Sequence, residues 1–442
     1  MKHLRPPRRP GSRRAAATVS ALLLPLALSG CSDDDSTAAP PVASPAATAS
    51  GARCVTDPPA PDEGAGASPA GVGAYALDSG EVVAPRRKTF TTKEGDESAV
   101  LVSGSGRLST RDSNVKKRGA TSSVDASGGH GLNAAVLARD GGHVTLSGGE
   151  FDTKGKGATA VFASGEGARA TLSANAVKAK GASAHGVMAS YGGVLDLTYV
   201  DIDTAGAQAA PIATGPGGAK VTVAGSTVTS AGCGSPGVQS AGDVTVSGTL
   251  FDVANSEAFT VESGGSLTLK DVRASAAAGG VVLRGAGDTA FSMSDGSIQA
   301  AEGDVFSVQQ AVADVKLTGG AEVTTKDGVL LRVRDKGVAT FSAHNEKLKG
   351  DVVVADGSAT LDLTGSTTLG GKVRGASLAV GPGATWSVGG DSSLAGLTVS
   401  GDVSDAIRGN GFTVTYDSGA SPGLGGRTYR LSGGGTLKPA SP

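Results

Sequence analysis

The stretch Gly141-Gly142-His143-Val144-Thr145-Leu146-Ser147-Gly148-Gly149-Glu150-Phe151-Asp152 contains the pattern that decides the fold. An apolar–polar–apolar triplet, Val144-Thr145-Leu146, lies between two glycine pairs, and a second short alternating segment follows at once. Alternation with a period of two is typical of β-strands, and glycine supplies the positive φ that tight turns need. The stretch therefore predicts two short strands joined by a tight turn, with Val144 and Leu146 inside and Thr145 outside.

The same triplet recurs along most of the chain. Its copies are Val144-Thr145-Leu146, Ala170-Thr171-Leu172, Leu195-Asp196-Leu197, Val221-Thr222-Val223, Val244-Thr245-Val246, Leu267-Thr268-Leu269, Phe291-Ser292-Met293, Val315-Lys316-Leu317, Ala339-Thr340-Phe341 and Leu361-Asp362-Leu363. The first nine begin 23 to 26 residues apart, with a mean step of about 24. A period in this range is typical of a solenoid.

A third short strand opens each unit, as in Ala135-Val136-Leu137, Ala160-Val161-Phe162 and Gly186-Val187-Met188. Three strands and three turns per repeat predict an all-β fold, a single right-handed parallel β-helix with about 24 residues per coil and roughly a dozen coils. The turns at the corners of the coils account for the 70 glycines, and a core that is a narrow tube of stacked aliphatic side chains accounts for only 3% aromatic residues in 442. Immunoglobulin-like sandwiches need longer strands, and the nonapeptides of calcium-binding β-rolls are absent.

The first 30 residues have the pattern of an export signal. Six positive charges precede an apolar run from Ala15 to Leu28, which is too short and interrupted to span a bilayer. The run ends in Leu28-Ser29-Gly30-Cys31, which resembles the lipobox of bacterial lipoproteins. The resemblance implies lipid attachment at Cys31 and a lipid-anchored protein on the extracytoplasmic face of the cell membrane. An ordinary secretory signal is the alternative, and the sequence leaves open whether export uses the Sec or the Tat route.

Composition predicts four segments: a signal peptide at 1–30, a disordered Ser/Ala/Pro-rich linker at 31–71, the β-helix at 72–403, and a β cap and tail at 404–442. Without residues 1–30 the charge changes from −2 to about −8, because 33 basic residues face 41 acidic ones. That balance argues against nucleic acid as a partner. Cys54 and Cys233 form either a disulfide or two free thiols, since spacing alone cannot show proximity.

Several segments carry a resemblance to known proteins. Ser98-Ala99-Val100-Leu101-Val102, Gly131-Leu132-Asn133-Ala134-Ala135-Val136-Leu137-Ala138 and the glycine-flanked Val-Thr-Leu unit resemble a group of uncharacterised bacterial secreted β-helix proteins. More distantly they resemble the passenger domains of autotransporter adhesins and the pectate-lyase-like superfamily. The resemblance implies an adhesin-like or structural role, or else a polysaccharide lyase or glycoside hydrolase.

No catalytic group, metal ligand or cofactor site is assigned from the sequence. Gly129-His130-Gly131 matches a polygalacturonase tripeptide, but the other motifs of that family are missing in order, so His130 is predicted to be a turn residue. Asp196, Asp201 and Asp203 alternate with inward apolar residues and are expected to point into solvent. Trp386 is predicted to plug the narrowing core near the C-terminus.

One outward column is regular enough to be a binding surface. Its members are Thr145, Thr171, Asp196, Thr222, Thr245 and Thr268, followed by Ser292, Lys316 and Thr340. We expect a non-catalytic, monomeric surface protein that contacts a glycan or cell-wall component along this face. A polysaccharide lyase or hydrolase is the alternative, and ice binding by a threonine ladder is disfavoured because Asp196 and Lys316 interrupt the row.

Overall fold

The computed structural model describes residues 71–441, which form a parallel β-solenoid of about 15 turns. The predicted all-β fold and the repeating coil are confirmed. Four predictions lie outside the described residues: the signal peptide at 1–30, lipidation at Cys31, the position of Cys54 and all of the linker except Gly71. Among the described residues, none of the helices is long and apolar enough to cross a bilayer.

Each coil runs through three sides, which we number in chain order. Side 1 consists of the strands that open the units. They are Ala76–Leu77, Val100–Ser103, Val136–Arg139, Val161–Ser164, Val187–Ser190, Ile212–Thr214, Val238–Ser240, Glu257–Glu262, Gly279–Arg284, Phe306–Gln309, Val329–Arg334, Asp351–Val354, Val373–Arg374, Ser392–Leu394, Thr413–Tyr416 and Thr436–Pro439.

Side 2 carries the apolar–polar–apolar triplets. Its strands are Glu81–Val83, Arg107–Arg111, His143–Ser147, Arg169–Ser173, Val194–Thr198, Lys220–Ala224, Asp243–Ser247, Ser266–Ala276, Asp288–Ala300, Val312–Thr318, Gly337–His344, Gly357–Thr364, Ser377–Val380 and Gly396–Val399. Ser266–Ala276 and Asp288–Ala300 continue without a break onto side 3.

Side 3 closes each coil. Its separate strands are Thr89–Thr92, Asn114–Lys117, Glu150–Thr153, Ala176–Ala179, Asp201–Thr204, Thr227–Ser230, Leu250–Val253, Glu322–Thr325, Lys347–Lys349, Thr368–Gly371, Thr385–Val388 and Ile407–Arg408. The remaining elements are a short pair, Val72–Gly73 with Glu97–Ser98, two helices, Val124–His130 and Val403–Ala406, the 3₁₀ turn Pro422–Leu424, and Tyr429–Arg430.

The core lies between the three sides and follows the predicted ladders. Val144 pairs in register with Ala170, and Ala170 with Leu195, so that inward residues of successive coils stack directly on each other. These side chains are buried, as are Phe151 and Val177 on side 3. Aliphatic residues make up most of the interior, but the few aromatic residues are also used there: Phe291, Phe306 and Phe341 are fully buried and contact one another edge to face.

The corner between sides 2 and 3 is a column of left-handed residues, and glycine occupies only some of its positions. In consecutive coils the corner holds Gly148, Ala174, Tyr199, Gly225 and Gly248, all with φ between 53° and 67°. The sequence predicted glycine corners. The structure shows that other residues adopt this conformation as well, because backbone hydrogen bonds to both neighbouring coils hold the corner in place.

One coil is longer than the others because a helix is inserted between sides 3 and 1. Arg107 and His143, neighbours on side 2, are 36 residues apart, and the excess contains the helix Val124–His130. Ser123 caps this helix by accepting a hydrogen bond from the Ala126 amide, and Gly131 ends it in the left-handed conformation.

The helix lies against a second apolar cluster on the outer surface of side 1. Its members, all buried, are Leu101, Ala134, Leu137, Phe162, Met188, Ala210 and Ala213, here called the outer cluster. Ser190 fixes the helix to side 1 by donating a hydrogen bond of 2.6 Å to the Gly129 carbonyl. Side 1 is therefore buried on both faces in these coils.

Parallel pairing continues beyond residue 403, where the predicted cap begins. Thr413–Tyr416 pairs in parallel with Ser392–Leu394 and with Thr436–Pro439, and antiparallel pairing joins only Tyr429–Arg430 to Thr436–Pro439. This continuation helps to explain why the solenoid has more coils than the predicted dozen. Trp386 is fully buried and its indole N–H donates to the Gly371 carbonyl at 2.9 Å, so it does fill the core.

Candidate binding face

The six residues of the predicted binding column lie side by side on side 2. Strand register pairs each with the next, in the order Thr145, Thr171, Asp196, Thr222, Thr245 and Thr268. Ser109 precedes the row and Ser292 and Lys316 follow it. Neighbouring strands in a sheet are about 4.8 Å apart, so the row repeats a polar group at that spacing.

The predicted next member, Thr340, does not belong to this row. Lys316 pairs with Ser342, and Thr340 pairs with Asp314 in the adjacent outward column. The coil between Val312 and its partner Val338 has 26 residues, and Asp335 and Lys336 in its preceding turn are both left-handed. The sequence analysis missed this longer coil because Ala339-Thr340-Phe341 also has the apolar–polar–apolar pattern. The residue in register with Lys316 is Ser342, two positions after Thr340.

Both charged members of the row are neutralised by neighbours on the same face. The Asp196 carboxylate accepts a hydrogen bond of 2.5 Å from Arg169, and Lys316 donates one of 2.5 Å to Asp314. Further along the row, the Ser292 hydroxyl donates to Thr268 Oγ1 at 3.1 Å. The row therefore presents hydroxyls and paired charges.

The outward column next to the row is basic near its N-terminal end. Arg107 contacts His143 Nδ1 through its guanidinium, and Arg169 follows in the next coil. Partial burial and the two arginines lower the pKa of His143. A neutral His143 ring that accepts from Arg107 keeps its other nitrogen as a donor.

Two of the shallow grooves on the described surface are lined by residues between 241 and 342. One, of about 760 Å³, lies on side 2 and includes Asp288, Asp314 and Lys316 in its lining. The other, of about 530 Å³, lies on side 1 and includes the ion pair between Arg284 and Glu262, 2.7 Å apart. The first groove brings acids and a lysine together on one wall.

His130 is the last residue of the inserted helix rather than a turn residue. Its ring stacks on Tyr191 with centroids 4.8 Å apart and planes 11° from parallel. Burial, with Arg139 as a smaller cause, lowers the pKa of His130. The stack fixes the helix to side 1, so the tripeptide around His130 has a structural explanation.

The acids Asp201 and Asp203 are exposed on side 3, as predicted, and Asp203 pairs in register with Lys178. Within residues 71–441, no group of three or more His, Cys, Asp or Glu side chains is arranged to hold a metal ion. Cys233 is disulfide-bonded, while Cys31 and Cys54 lie outside the described residues.

Two tyrosines on the surface were missed by the sequence analysis. Tyr191 and Tyr199 are 41% and 70% exposed and lie at the two ends of the side 2 strand Val194–Thr198. Aligning the repeats would have revealed Tyr199, because it occupies the corner position at which the neighbouring coils carry Ala174 and Gly225. A bulky aromatic residue at a corner position is the feature to look for.

No protein-family model matches the chain, and no curated protein is similar enough to it to count as a match.

Proposed function

We propose that this protein is a non-catalytic, lipid-anchored, extracytoplasmic protein that binds a glycan or cell-wall polymer along side 2. The observation that carries the proposal is the row from Ser109 to Ser292, which presents a hydroxyl in every coil except that of Asp196. A repeating polymer is a suitable partner because the row repeats too. Hydroxyls both donate and accept hydrogen bonds, which matches the hydroxyls of sugars.

The charge distribution on side 2 favours an uncharged partner. Asp196 and Lys316 are already paired, so they offer hydrogen bonds without an unbalanced charge. Four members of the row, Thr145, Thr222, Thr245 and Thr268, are exposed and free to exchange water for a ligand. Such a surface favours weak contacts repeated along a chain over one deep pocket.

The anchor and the disulfide belong to the same proposal. Lipid on Cys31 holds the protein at the membrane, and Cys233 bonds to Cys54 in the oxidising compartment outside it. Replacing Cys31 by Ser should move the protein from the membrane fraction to the soluble fraction, as measured by fractionation and by mass spectrometry of the N-terminal peptide. A membrane-bound C31S variant would contradict lipid anchoring.

The binding proposal is tested with glycan arrays and by co-sedimentation of the full-length protein with peptidoglycan and other insoluble polysaccharides. Thr222→Arg and Thr245→Arg place long charged side chains in the row and should weaken binding by about tenfold or more. Thr324→Arg, at an exposed position on side 3, is the matched control. Equal binding by all three variants would show that side 2 is not the binding face.

A polysaccharide lyase or hydrolase is the second candidate, and the groove lined by Asp288, Asp314 and Lys316 favours it. Acids and a lysine on one wall are the residue types that proton transfer needs. Release of reducing ends or unsaturated products from a polysaccharide panel would support this candidate. If turnover is seen, Asp288→Asn should abolish it; turnover that survives would place the chemistry elsewhere.

A further inference from the structure

Tyr199 combines an exposed aromatic ring with a left-handed backbone. Large apolar side chains are mostly buried here, but the Tyr199 ring is 70% exposed, the largest exposure of any aromatic residue among those described. Its backbone is also left-handed, with φ 54°. A bulky residue in that region is strained by about 1 kcal/mol or more, and an exposed ring does little to offset it. A residue with both features is a candidate for function.

The corner around Tyr199 is shaped to hold its ring. Tyr199, Gly225 and Gly248 occupy the same corner position in three successive coils. A Cβ atom on Gly225 would lie 2.6 Å from Cε1 of the Tyr199 ring, so the ring lies on Gly225 and needs a glycine there. One face of the ring rests on the backbone, and its exposure leaves the other available.

The surface beside the ring offers both apolar and polar contacts. Leu250, 51% exposed, lies on side 3 in register with Thr227, and Thr227 with Asp201. Asp201 and Asp203 are exposed carboxylates on the same side. Hydroxyl and carboxylate groups next to an aromatic face suit a sugar ring, which has apolar C–H faces and hydroxyls at its edge.

We propose that Tyr199 is the stacking platform of a neutral glycan, held at the corner between sides 2 and 3 by Asp201 and Thr227. The inference rests on the proposed glycan binding and names its contact point. The exposed acids decide the sugar class, since Asp201 and Asp203 would repel a polyuronate. A pyranose chain with equatorial hydroxyls presents the flat apolar face that the ring needs.

Tyr191 supplies the matched control. It is also left-handed, with φ 47°, and partly exposed. Its ring, however, is already stacked on His130, and Gly217 also lies against it, with a Cβ that would be 2.8 Å from Cδ1 of the ring. Removing Tyr191 therefore deletes a comparable side chain without deleting a free aromatic face.

The experiment is calorimetric titration of the full-length protein with chitohexaose, cellohexaose and polygalacturonate. Tyr199→Ala should weaken binding of the neutral hexasaccharides by about tenfold or more, the size expected for loss of one aromatic contact. Tyr199→Phe and Tyr191→Ala should stay within about twofold of the wild type. Circular dichroism checks folding, and Tyr199→Ala should unfold no earlier than the wild type because it keeps the backbone and removes an exposed ring.

Each outcome is decisive. Wild-type binding of a neutral hexasaccharide that Tyr199→Ala leaves unchanged overturns this inference and leaves the proposed function standing. Tighter binding of polygalacturonate than of the neutral sugars overturns the assignment of sugar class. Binding to none of the three overturns this inference; the proposed function then falls as well if the array and co-sedimentation are also negative.

Discussion

The outward column of side 1 has two halves that differ in chemistry. From Leu101 to Ala213 it is apolar and lies in the outer cluster, next to the helix Val124–His130. From Gln239 onward the same column is mainly polar, and its side chains bond to neighbours: Gln239 to Glu262, and Arg332 to Asp304 at 2.8 Å. We call these the apolar half and the polar half.

The difference between the two halves shows that a solenoid can change the residues on one outer surface while its core stays the same. Both halves use in-register parallel pairing and an inward apolar ladder, in which Val187 stacks on Val161 and Val281 on Phe259. Only the outward residue changes, because side chains of a strand alternate between faces. Where the inserted helix covers side 1, the outward residues are apolar and buried. In the other coils the outward residues are mainly polar and form hydrogen bonds or ion pairs with their neighbours.

The largest expected effect comes from removing the ring at the centre of the apolar half. Phe162→Ala should destabilise the protein by about 3–5 kcal/mol, because a fully buried phenyl group leaves a cavity. Arg332→Ala in the polar half removes one partly exposed ion pair and should cost at most about 1 kcal/mol. Chemical denaturation measures both. Similar costs would mean that the two halves do not differ energetically.

A second substitution tests whether the helix needs close contact with the outer cluster. A Cβ on Gly131 would lie 2.8 Å from Leu137 Cδ1 and 2.9 Å from Phe162 Cγ, and Gly131 has φ 73°. Gly131→Ala should therefore cost about 2–3 kcal/mol, part from backbone strain and part from overpacking.

Its control is Gly320→Ala, since Gly320 has φ 81° and no atom within 4 Å of the added Cβ. That variant isolates the backbone strain, about 1 kcal/mol. If thermal or chemical unfolding gives equal losses for the two variants, the helix does not press on the cluster.

The repeat could be predicted from the sequence, and the insertion could not. Inward and outward positions follow from alternation, so Val144, Thr145 and Leu146 were placed correctly. The helix contains Gly128 and Gly129, whose low helix propensity outweighs the capping residues Ser123 and Gly131, so a helix was not predicted here. Ser123 caps it locally, but seven residues do not form a stable helix alone, so the helix depends on its packing against the outer cluster, which is a tertiary contact.

Two features of the sequence do indicate the inserted helix and the unusual corner at Tyr199. Leu137, Phe162 and Met188 are apolar at outward positions of three successive strands, which requires a cover. Tyr199 interrupts a column of small residues. Eight of the nine residues predicted for the outward row, Thr145 to Lys316, do lie next to one another. Thr340 was misplaced because its coil is two residues longer, which alternation alone cannot detect.

Acidification should lower the free energy of unfolding because His185, next to the apolar half, becomes protonated. Its Nδ1 bonds to the carbonyl of Ala210, a member of the outer cluster, at 3.3 Å, and burial lowers its pKa from 6.5 to about 4. The folded state then binds fewer protons than the unfolded state. The stability is fully present above pH 6.5 and is lost as pH falls towards 4, by roughly 1–3 kcal/mol.

The measurement is the free energy of unfolding at pH 7.5 and 4.5 for the wild type, His185→Gln and His344→Gln. His185→Gln should show a smaller loss on acidification than the wild type. His344→Gln, at an exposed position on side 2, should keep the wild-type loss. Unchanged pH dependence in His185→Gln would show that this ring is not kept neutral by folding.

The smallest effect is expected in the polar half, where ionisation of Glu346 should change stability with the opposite dependence on pH. Its carboxyl is buried, accepts from the Gly320 amide at 2.9 Å, and has no hydrogen-bond partner for Oε2. Burial raises the pKa of Glu346, with Asp295 adding to the shift. The folded state keeps the proton to higher pH, so stability is full below pH 4.5 and falls as pH rises through the folded pKa.

Glu346→Gln keeps the bond to Gly320 and removes the ionisation, so it should stabilise the protein by about 1 kcal/mol at pH 8 and have no effect at pH 4. Glu322→Gln, which alters an exposed carboxyl on side 3, should have no effect at either pH. If denaturation shows the same gain at both pH values, neutral packing of the amide is responsible. The expected pattern, a loss of stability with acid at His185 and with base at Glu346, would show that the apolar half and the polar half respond to pH in opposite directions.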